Sequence, residues 1–173
     1  ETCDIMKIRL GAESAGRYEI AQIGQATDIN GVSVKFVPAG HVLGSCQIVV
    51  EYQGIRICVS GDYKRRYDPT CAPFEPVKAD VFVTEATFGL PVFVHPDAQG
   101  EVAKLLDSLK SNPENDHFIG AYSLGKAQRI IRILRDLGHD DEILLHGSME
   151  TLCKYYESRG IDLGRLSKLI DAG

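Results

Sequence analysis

The sequence has 173 residues, of which 44% are hydrophobic and 25% charged, a composition typical of a globular chain. Its 24 Asp and Glu residues outnumber its 19 Lys and Arg residues, so the formal net charge at pH 7 is −5. This balance excludes nucleic-acid binding through bulk charge, and any polyanion must be held by a local basic patch or by a metal ion.

The first residues fall within a helical pattern, Cys3–Leu10, that Gly11 ends. We therefore expect the chain to be a piece from the middle of a longer protein. The five cysteines form no Cys-x-x-Cys pair, which predicts reduced thiols and a cytoplasmic protein. No apolar run approaches the roughly 20 residues of a membrane span, so we expect no membrane association.

Three strands with alternating or apolar patterns are predicted next, and a turn precedes them at Asn30-Gly31. The second and third strands are joined by a turn at Gln53-Gly54. A fourth, short strand of the buried type is predicted to end on an acid. The four predicted strands are Val32–Val37, Cys46–Tyr52, Ile55–Ser60 and Asp80–Glu85.

Two polar residues follow the ends of these strands. His41 lies in a glycine-flanked loop after the first strand, and Asp62 directly follows the third. Loops at strand ends are where rigid scaffolds place binding and catalytic side chains. An imidazole and a carboxylate suit a zinc or manganese ion. The alternative is that His41 caps its turn and Asp62 is an ordinary turn residue.

A basic cluster, Lys64-Arg65-Arg66, comes directly after Asp62, and its position makes phosphate contact a reasonable expectation. The alternative for the cluster is a solvated surface turn. Glu85, at the end of the fourth strand, is a third candidate for function. Its alternative is an acid that caps its own loop.

The second half alternates between strand and helix patterns, which predicts a parallel, doubly wound layer. Ser123 is the predicted cap of its second helix. A domain change is placed near residues 88–96. The predicted elements are a helix over Asp97–Leu109, a strand over His117–Tyr122, a helix from Ser123 to Leu137 ended by Gly138, a strand over Glu142–His146 and a helix from Ser148 to Gly160.

The loop from Gly120 to Lys126 nearly fits the phosphate-binding pattern G-x-x-x-x-G-K-[ST]. Its last position is Ala127, which has no hydroxyl for magnesium, so nucleotide hydrolysis at this loop is not expected. Ser123, Lys126 and the amides of the helix N-terminus could still hold one phosphate of a nucleic-acid strand. Plain helix capping is the favoured alternative.

Three motifs in order, Pro38–Ser45, Ser60–Asp62 and Thr84–Gly89, resemble the nucleases of the metallo-β-lactamase fold with a β-CASP insertion. Residues Tyr122 to Arg129 resemble a helix start within the β-CASP domain. The branch of closest resemblance is the ligase-associated DNA exonucleases, which are similar to mRNA 3′-end processing factors.

The resemblance implies an α/β fold made of two parts. Residues 1–88 would be the second half of a metallo-β-lactamase αββα sandwich, and residues 89–173 the first half of a doubly wound β-CASP cap. The family's H-x-H-x-D-H cluster and its later β-CASP histidines are not found in the sequence. The expectation is therefore an internal fragment that is inactive alone, because catalytic zinc takes three protein ligands.

The resemblance also implies a chemistry. Two divalent ions, zinc or manganese, would lie about 3.5–4 Å apart and hydrolyse a phosphodiester bond. Asp62 would bridge them, His41 would ligate one, and Glu85 would orient a histidine. The basic cluster Lys64-Arg65-Arg66 would face the phosphates of single-stranded DNA or RNA.

The main expectation for function is a DNA exonuclease of repair or ligation, and only the resemblance implies a DNA ligase or helicase as partner. An RNA 3′-end processing nuclease is the nearest alternative, because the motifs do not separate DNA from RNA. Hydrolases of small esters or thioesters on the same fold are a second alternative. A catalytically dead nucleic-acid-binding module is a third, from a different class of function.

Overall fold

The computed structural model describes residues 1–169 and divides into two compact units, Glu1–Leu90 and a second from Pro91 onward. Both units combine helices and strands, so the α/β class is confirmed. None of the helices in the described residues is long and apolar enough to span a membrane. The elements are α1 (Thr2–Leu10), β1 (Ala26–Ile29), β2 (Val32–Pro38), β3 (Cys46–Tyr52), β4 (Ile55–Val59), β5 (Val81–Val83), α2 (Ala98–Ser111), α3 (Lys126–Asp136), β6 (Ile143–Leu145), α4 (Gly147–Ser158) and β7 (Leu166–Lys168).

The first unit is built on a five-stranded sheet in the order β1-β2-β3-β4-β5. The first four strands are antiparallel, and β5 runs parallel to β4. Both predicted turns are confirmed: φ is 53° at Asn30 and 84° at Gly31, and 50° at Gln53 and 80° at Gly54. Two positive φ values in succession give the tight turn whose twist matches that of the flanking strands.

One face of this sheet is covered by the chain that returns from β4 to β5. Val37, Val49 and Cys58 form the buried cluster, and Val77 and Ala79 of the returning segment pack against it. Burial raises the pKa of the Cys58 thiol, which therefore stays protonated and able to donate a hydrogen bond. The segment after Asp62 is thus held against the sheet.

A fully buried amide, Gln47, joins the same segment to the end of β2. Its Nε2 donates to the carbonyl oxygens of Pro38, at 3.1 Å, and Glu75, at 2.7 Å. Its Oε1 accepts from the Cys58 thiol at 3.5 Å. Because Pro38 immediately precedes the His41 loop, this amide fixes the point where that loop leaves the sheet.

The fourth predicted strand is shorter than expected, and it is not buried. Val81, Phe82 and Val83 are 47%, 46% and 51% exposed. The prediction of a buried strand is wrong because β5 lies at an edge of the sheet and, within residues 1–169, pairs with β4 alone. Asp80 lies outside the strand, and its carboxylate accepts a hydrogen bond from the amide of Arg56 at 2.8 Å.

The second unit packs α2 against α3 through a buried cluster of Val102, Ile133 and Leu134. Its sheet consists of β6 and β7, which are parallel and connected through α4. The described residues therefore show one β-α-β unit of the expected doubly wound layer. The fuller assignment to half of a β-CASP cap stays a prediction.

The predicted strand over His117–Tyr122 is wrong, since this stretch is irregular. Phe118 is 86% exposed, and no strand of residues 1–169 lies beside the segment to accept its hydrogen bonds. The His117 ring instead lies within hydrogen-bonding distance, 3.0 Å in each case, of the Ser108 hydroxyl and the Asn115 carbonyl oxygen. The segment is held by side-chain contacts rather than by a strand ladder.

The N-caps of the last two helices lie two residues from the predicted helix starts, Ser123 and Ser148. The N-cap of α3 is Gly125 rather than Ser123. The N-cap of α4 is His146, whose Nδ1 accepts a hydrogen bond from the amide of Ser148. Gly138, at φ 83°, and Gly160, at φ 83°, follow the two helices as expected.

Replacing Gln47 with Met tests the role of the buried amide. The variant leaves the carbonyl of Glu75 without its donor, so we expect the free energy of unfolding to fall by about 1–3 kcal/mol. Urea denaturation measures this change. The matched control is Gln99→Met at an exposed position of α2, where a change below about 0.5 kcal/mol is expected. Equal effects of the two substitutions would contradict the anchoring role.

Candidate functional site

The structure brings His41 and Asp62 together. His41 Nε2 lies 3.7 Å from a carboxylate oxygen of Asp62, and the side chains are 43% and 73% exposed. One zinc ion can bridge two donors at about this separation, because each of its bonds is about 2.0–2.2 Å long. The pair is therefore accessible from solvent and close enough to share an ion.

The His41 loop is closed by Ser45. The Ser45 hydroxyl accepts hydrogen bonds from the amides of His41, at 3.0 Å, and Val42, at 3.1 Å. The Ser45 carbonyl accepts from the amide of Ala39 at 3.0 Å. The backbone on both sides of His41 is fixed in this way, while its ring projects from the loop.

Gly40 lets this loop lie directly against the chain that follows Asp62. Its φ is +70°, and a Cβ built at this position would overlap the carbonyl oxygen of Lys64 and lie 2.7 Å from the amide nitrogen of Phe74. The amide of Lys64 donates to the carbonyl of Ala39 at 3.0 Å. A glycine is required because both neighbours are backbone atoms.

Asp62 is placed by the end of β4. Ser60 is fully buried, and its amide donates to the Val83 carbonyl of β5 at 2.9 Å. The Ser60 hydroxyl donates to the carbonyl of Gly61 at 2.7 Å, and Gly61 has φ +57°. The chain therefore turns sharply after β4, and Asp62 emerges at the surface.

The three members of the basic cluster differ in exposure. The Lys64 side chain is 20% exposed, and its ammonium is paired with the carboxylate of Asp68, which is 3% exposed. Arg65 and Arg66 are exposed. The Lys64 ammonium therefore already has a protein partner, and its contact with a phosphate stays a prediction. Arg65, in contrast, is exposed to solvent.

Glu85 lies at the start of the loop after β5 and is half-buried. Its carboxylate accepts a hydrogen bond from the amide of Thr87 at 2.7 Å. This contact is the one expected if Glu85 only caps its own loop, which is the alternative to a functional role. The role in orienting a histidine stays a prediction.

The phosphate-loop candidate uses its own amides. The amide of Gly125 donates to the Gln128 side chain at 2.7 Å. The amide of Lys126 donates to the carbonyl of Leu124, and that of Ala127 to the carbonyl of Tyr122, both at 3.1 Å. The Lys126 ammonium lies 4.9 Å from the centre of the Tyr122 ring. These contacts are those of a capped helix, and the proposed phosphate contact of Ser123 and Lys126 stays a prediction.

The donor chemistry at His41 and Asp62 fits a divalent ion, but two donors are fewer than the three protein ligands of a catalytic zinc site. Within residues 1–169, no group of three or more His, Cys, Asp and Glu side chains is placed to hold an ion. The described residues therefore bring together two suitable donors, and a metal site at this pair stays a prediction.

The sequence interpretation gave no role to Asp68, whose carboxylate pairs with the ammonium of Lys64. Its Oδ1 accepts from the amide of Thr70, at 2.9 Å, and from the Thr70 hydroxyl, at 2.6 Å. The available signal is the triplet Asp68-Pro69-Thr70, because an Asp side chain commonly accepts from the amide two residues later in a turn.

Substituting Gly40 with Ala tests the close approach of the two loops. We expect the free energy of unfolding to fall by at least about 2 kcal/mol more than in Gly54→Ala, because the added methyl meets fixed backbone atoms. Gly54 is the matched control, since its φ is +80° and a Cβ there has no atom within 4 Å. Urea denaturation of both variants decides the matter, and equal losses would refute the steric requirement.

No protein-family model matches the chain. Three of the relatives with clear sequence similarity represent the match. The chain is 31% identical over 148 residues to the Schizosaccharomyces pombe endoribonuclease ysh1, covering 82% of this chain and 18% of the relative. It is 30% identical over 138 residues to the Kluyveromyces lactis endoribonuclease YSH1, covering 76% of this chain and 18% of the relative. It is 32% identical over 125 residues to the Dictyostelium discoideum cleavage and polyadenylation specificity factor subunit 3, covering 70% and 16%.

The matched stretch is 16–18% of the length of these relatives. Two of the three are named endoribonucleases, so the comparisons favour the alternative of an RNA-processing nuclease and do not support the DNA exonuclease. They also do not support a ligase or helicase partner. The resemblance inferred from the motifs is confirmed: the chain is a homologue, at about 30% identity over part of their length, of the β-CASP nucleases of the metallo-β-lactamase fold that process mRNA 3′ ends.

Proposed function

We propose that this chain contributes His41 and Asp62 to a metal-dependent centre that hydrolyses phosphodiester bonds of RNA. The observation that carries the proposal is the 3.7 Å separation of His41 Nε2 and the Asp62 carboxylate. The two side chains follow β2 and β4, the strands on either side of β3. The endoribonuclease names of the relatives support the reaction class.

The roles of the chain's own residues follow from their placement. His41 and Asp62 would hold a divalent ion, zinc or manganese, between them. Such an ion, when bound, polarises a phosphoryl oxygen and lowers the pKa of bound water. Ser45 and the Gly40 contact fix the backbone that carries the imidazole, which limits the entropy lost when an ion is bound.

Substrate binding would use the exposed arginines beside the site. The chain carries a net charge of −5, so attraction for a polyanion must be local. Arg65 follows Asp62 by three residues and is exposed. We assign it to a phosphate of single-stranded RNA. The choice of RNA over DNA rests on the names of the relatives.

The proposed domain assignment follows the same homology. Residues 1–88 would be the second half of the metallo-β-lactamase domain, and residues 89–173 the first half of the β-CASP cap. The division of the structure at Leu90 and Pro91 supports a boundary in this region. Glu85, just before the boundary, is a candidate for orienting a histidine of the metal site or of the cap. The cytoplasmic location stays a prediction.

A second candidate function is a nucleic-acid-binding module without catalysis. The observation that favours it is the donor set, since residues 1–169 hold no third ligand near His41 and Asp62. On this alternative, the chain binds RNA, but His41 and Asp62 hold no divalent ion. Titration with zinc or manganese separates the two functions, because the metal-dependent centre requires an ion at this pair and the binding module does not.

Manganese titration followed by NMR tests the metal site. Paramagnetic Mn²⁺ broadens the signals of nuclei close to it, so we expect the ring resonances of His41 to broaden at lower Mn²⁺ than those of the other four histidines. Asp62→Asn should remove this selectivity, because an amide is a weaker ligand for a hard cation. Asp107→Asn, which removes an exposed carboxylate from α2, is the matched control and should leave it unchanged. Uniform broadening of all five histidines in the wild-type chain would refute the site.

Fluorescence anisotropy with single-stranded RNA and DNA of the same base sequence tests the substrate. We expect tighter binding of RNA, and we expect Arg65→Ala to reduce the dependence of log affinity on log salt by about one unit. Lys110→Ala, at an exposed position in α2, removes the same charge away from the site and is the control. Equal loss in both variants, or preference for DNA, would contradict the proposal.

A further inference from the structure

We propose that Lys64, Asp68 and Thr70 form a positioning network that sets the His41 loop against the segment carrying Asp62. The inference rests on the proposed function, because it assigns the network to the same metal-ligand pair. It gives Lys64 a role in the geometry of the site in place of the phosphate contact expected from the sequence.

The backbone of Lys64 supplies the first part of the network. Its amide donates to the carbonyl of Ala39 at 3.0 Å, and its carbonyl oxygen lies directly against Gly40. Ala39 and Gly40 precede His41, and Lys64 follows Asp62 by two residues. This contact therefore joins the two loops next to both candidate ligands.

The side chain of Lys64 supplies the second part. Its ammonium lies 3.4 Å from the carbonyl oxygen of His41 and is paired with the carboxylate of Asp68. One residue thus touches the His41 loop through its amide, its carbonyl and its ammonium.

Asp68 and Thr70 fix the ammonium in place. The Asp68 carboxylate is 3% exposed, and its second oxygen accepts from the Thr70 amide, at 2.9 Å, and hydroxyl, at 2.6 Å. A buried carboxylate with these bonds is costly to leave without its cation. The carboxylate therefore retains the ammonium at the loop, and Lys64 is held inside the protein rather than free to follow a substrate.

A positioning role makes a prediction that differs from phosphate binding. Loss of the ammonium should loosen the His41 loop even without metal or RNA. It should also weaken metal binding, because groups that orient metal ligands typically affect affinity by roughly 10-fold to 100-fold. Arginine, which also pairs with a carboxylate, should restore much of both properties.

The experiment compares Lys64→Met, Lys64→Arg and the wild-type chain by amide hydrogen exchange. In Lys64→Met we expect exchange at the amides of residues 41, 42 and 64 to become about tenfold faster, while the β3 amides keep their protection. Lys64→Arg should remain close to wild type. Lys104→Met, which removes an exposed lysine paired with Glu101, is the matched control and should change none of these amides.

Manganese-induced broadening of the His41 ring is the second readout. It should require roughly 10-fold to 100-fold more Mn²⁺ in Lys64→Met and recover in Lys64→Arg. If Lys64→Met loses protection throughout the sheet, Thr70→Val decides, because it removes one bond to Asp68 and keeps the ion pair. That variant should accelerate exchange at residues 41, 42 and 64 alone.

Unchanged exchange at these three amides in Lys64→Met, or in Thr70→Val where the first variant unfolds, would overturn the inference. So would failure of Lys64→Arg to restore the exchange or the broadening. A wild-type chain that shows no selective broadening of His41 would instead refute the proposed function. The exchange data would then still decide whether the network holds the loop.

Discussion

The close approach of the Gly40 backbone to Lys64 and Phe74 is the constraint on which the candidate site depends. A side chain at position 40 would overlap backbone atoms of the segment that follows Asp62. The same segment is held from a second side, because the buried Gln47 amide binds the carbonyl of Glu75. His41 and Asp62 face each other because the two loops that carry them are pressed together and anchored to one sheet.

Of the charged side chains near the site, some are paired inside the protein and others are exposed to solvent. Lys64 and Asp68 form a nearly buried pair whose charges compensate each other within the protein. Arg65 is exposed, so it contributes positive potential where a phosphate could approach. The acidic chain as a whole repels a polyanion, and this contrast makes binding dependent on local groups and on any metal ion that His41 and Asp62 hold.

Much of the first unit could be predicted from local signals. The Asn30-Gly31 and Gln53-Gly54 turns set the strand pairing, and the strands in turn placed His41 and Asp62 at their ends. The buried contacts of Gln47 could not be read in this way, because they arise only when distant segments meet. Asp68 has a local signal in its turn with Thr70, but neither Gln nor Asp is a residue type expected in an interior.

In the second unit, sequence patterns alone predict one strand and the start of α3 incorrectly. His117–Tyr122 has strand-like residues, yet a strand needs a neighbour, and none is present in the described part of the chain. The position of the α3 cap depends on Gln128, whose buried side chain accepts a hydrogen bond from the amide of Gly125. A capping residue three positions inside the helix is a recognised signal, but Ser123 offered a competing one.

The central claim is that His41 and Asp62 share a divalent ion. Anomalous diffraction at the manganese absorption edge, from crystals of this chain soaked in Mn²⁺, tests it most directly. We predict an anomalous peak within bonding distance of both His41 Nε2 and an Asp62 carboxylate oxygen. A peak at another cluster of carboxylates, or none at this pair at saturating Mn²⁺, would contradict the account.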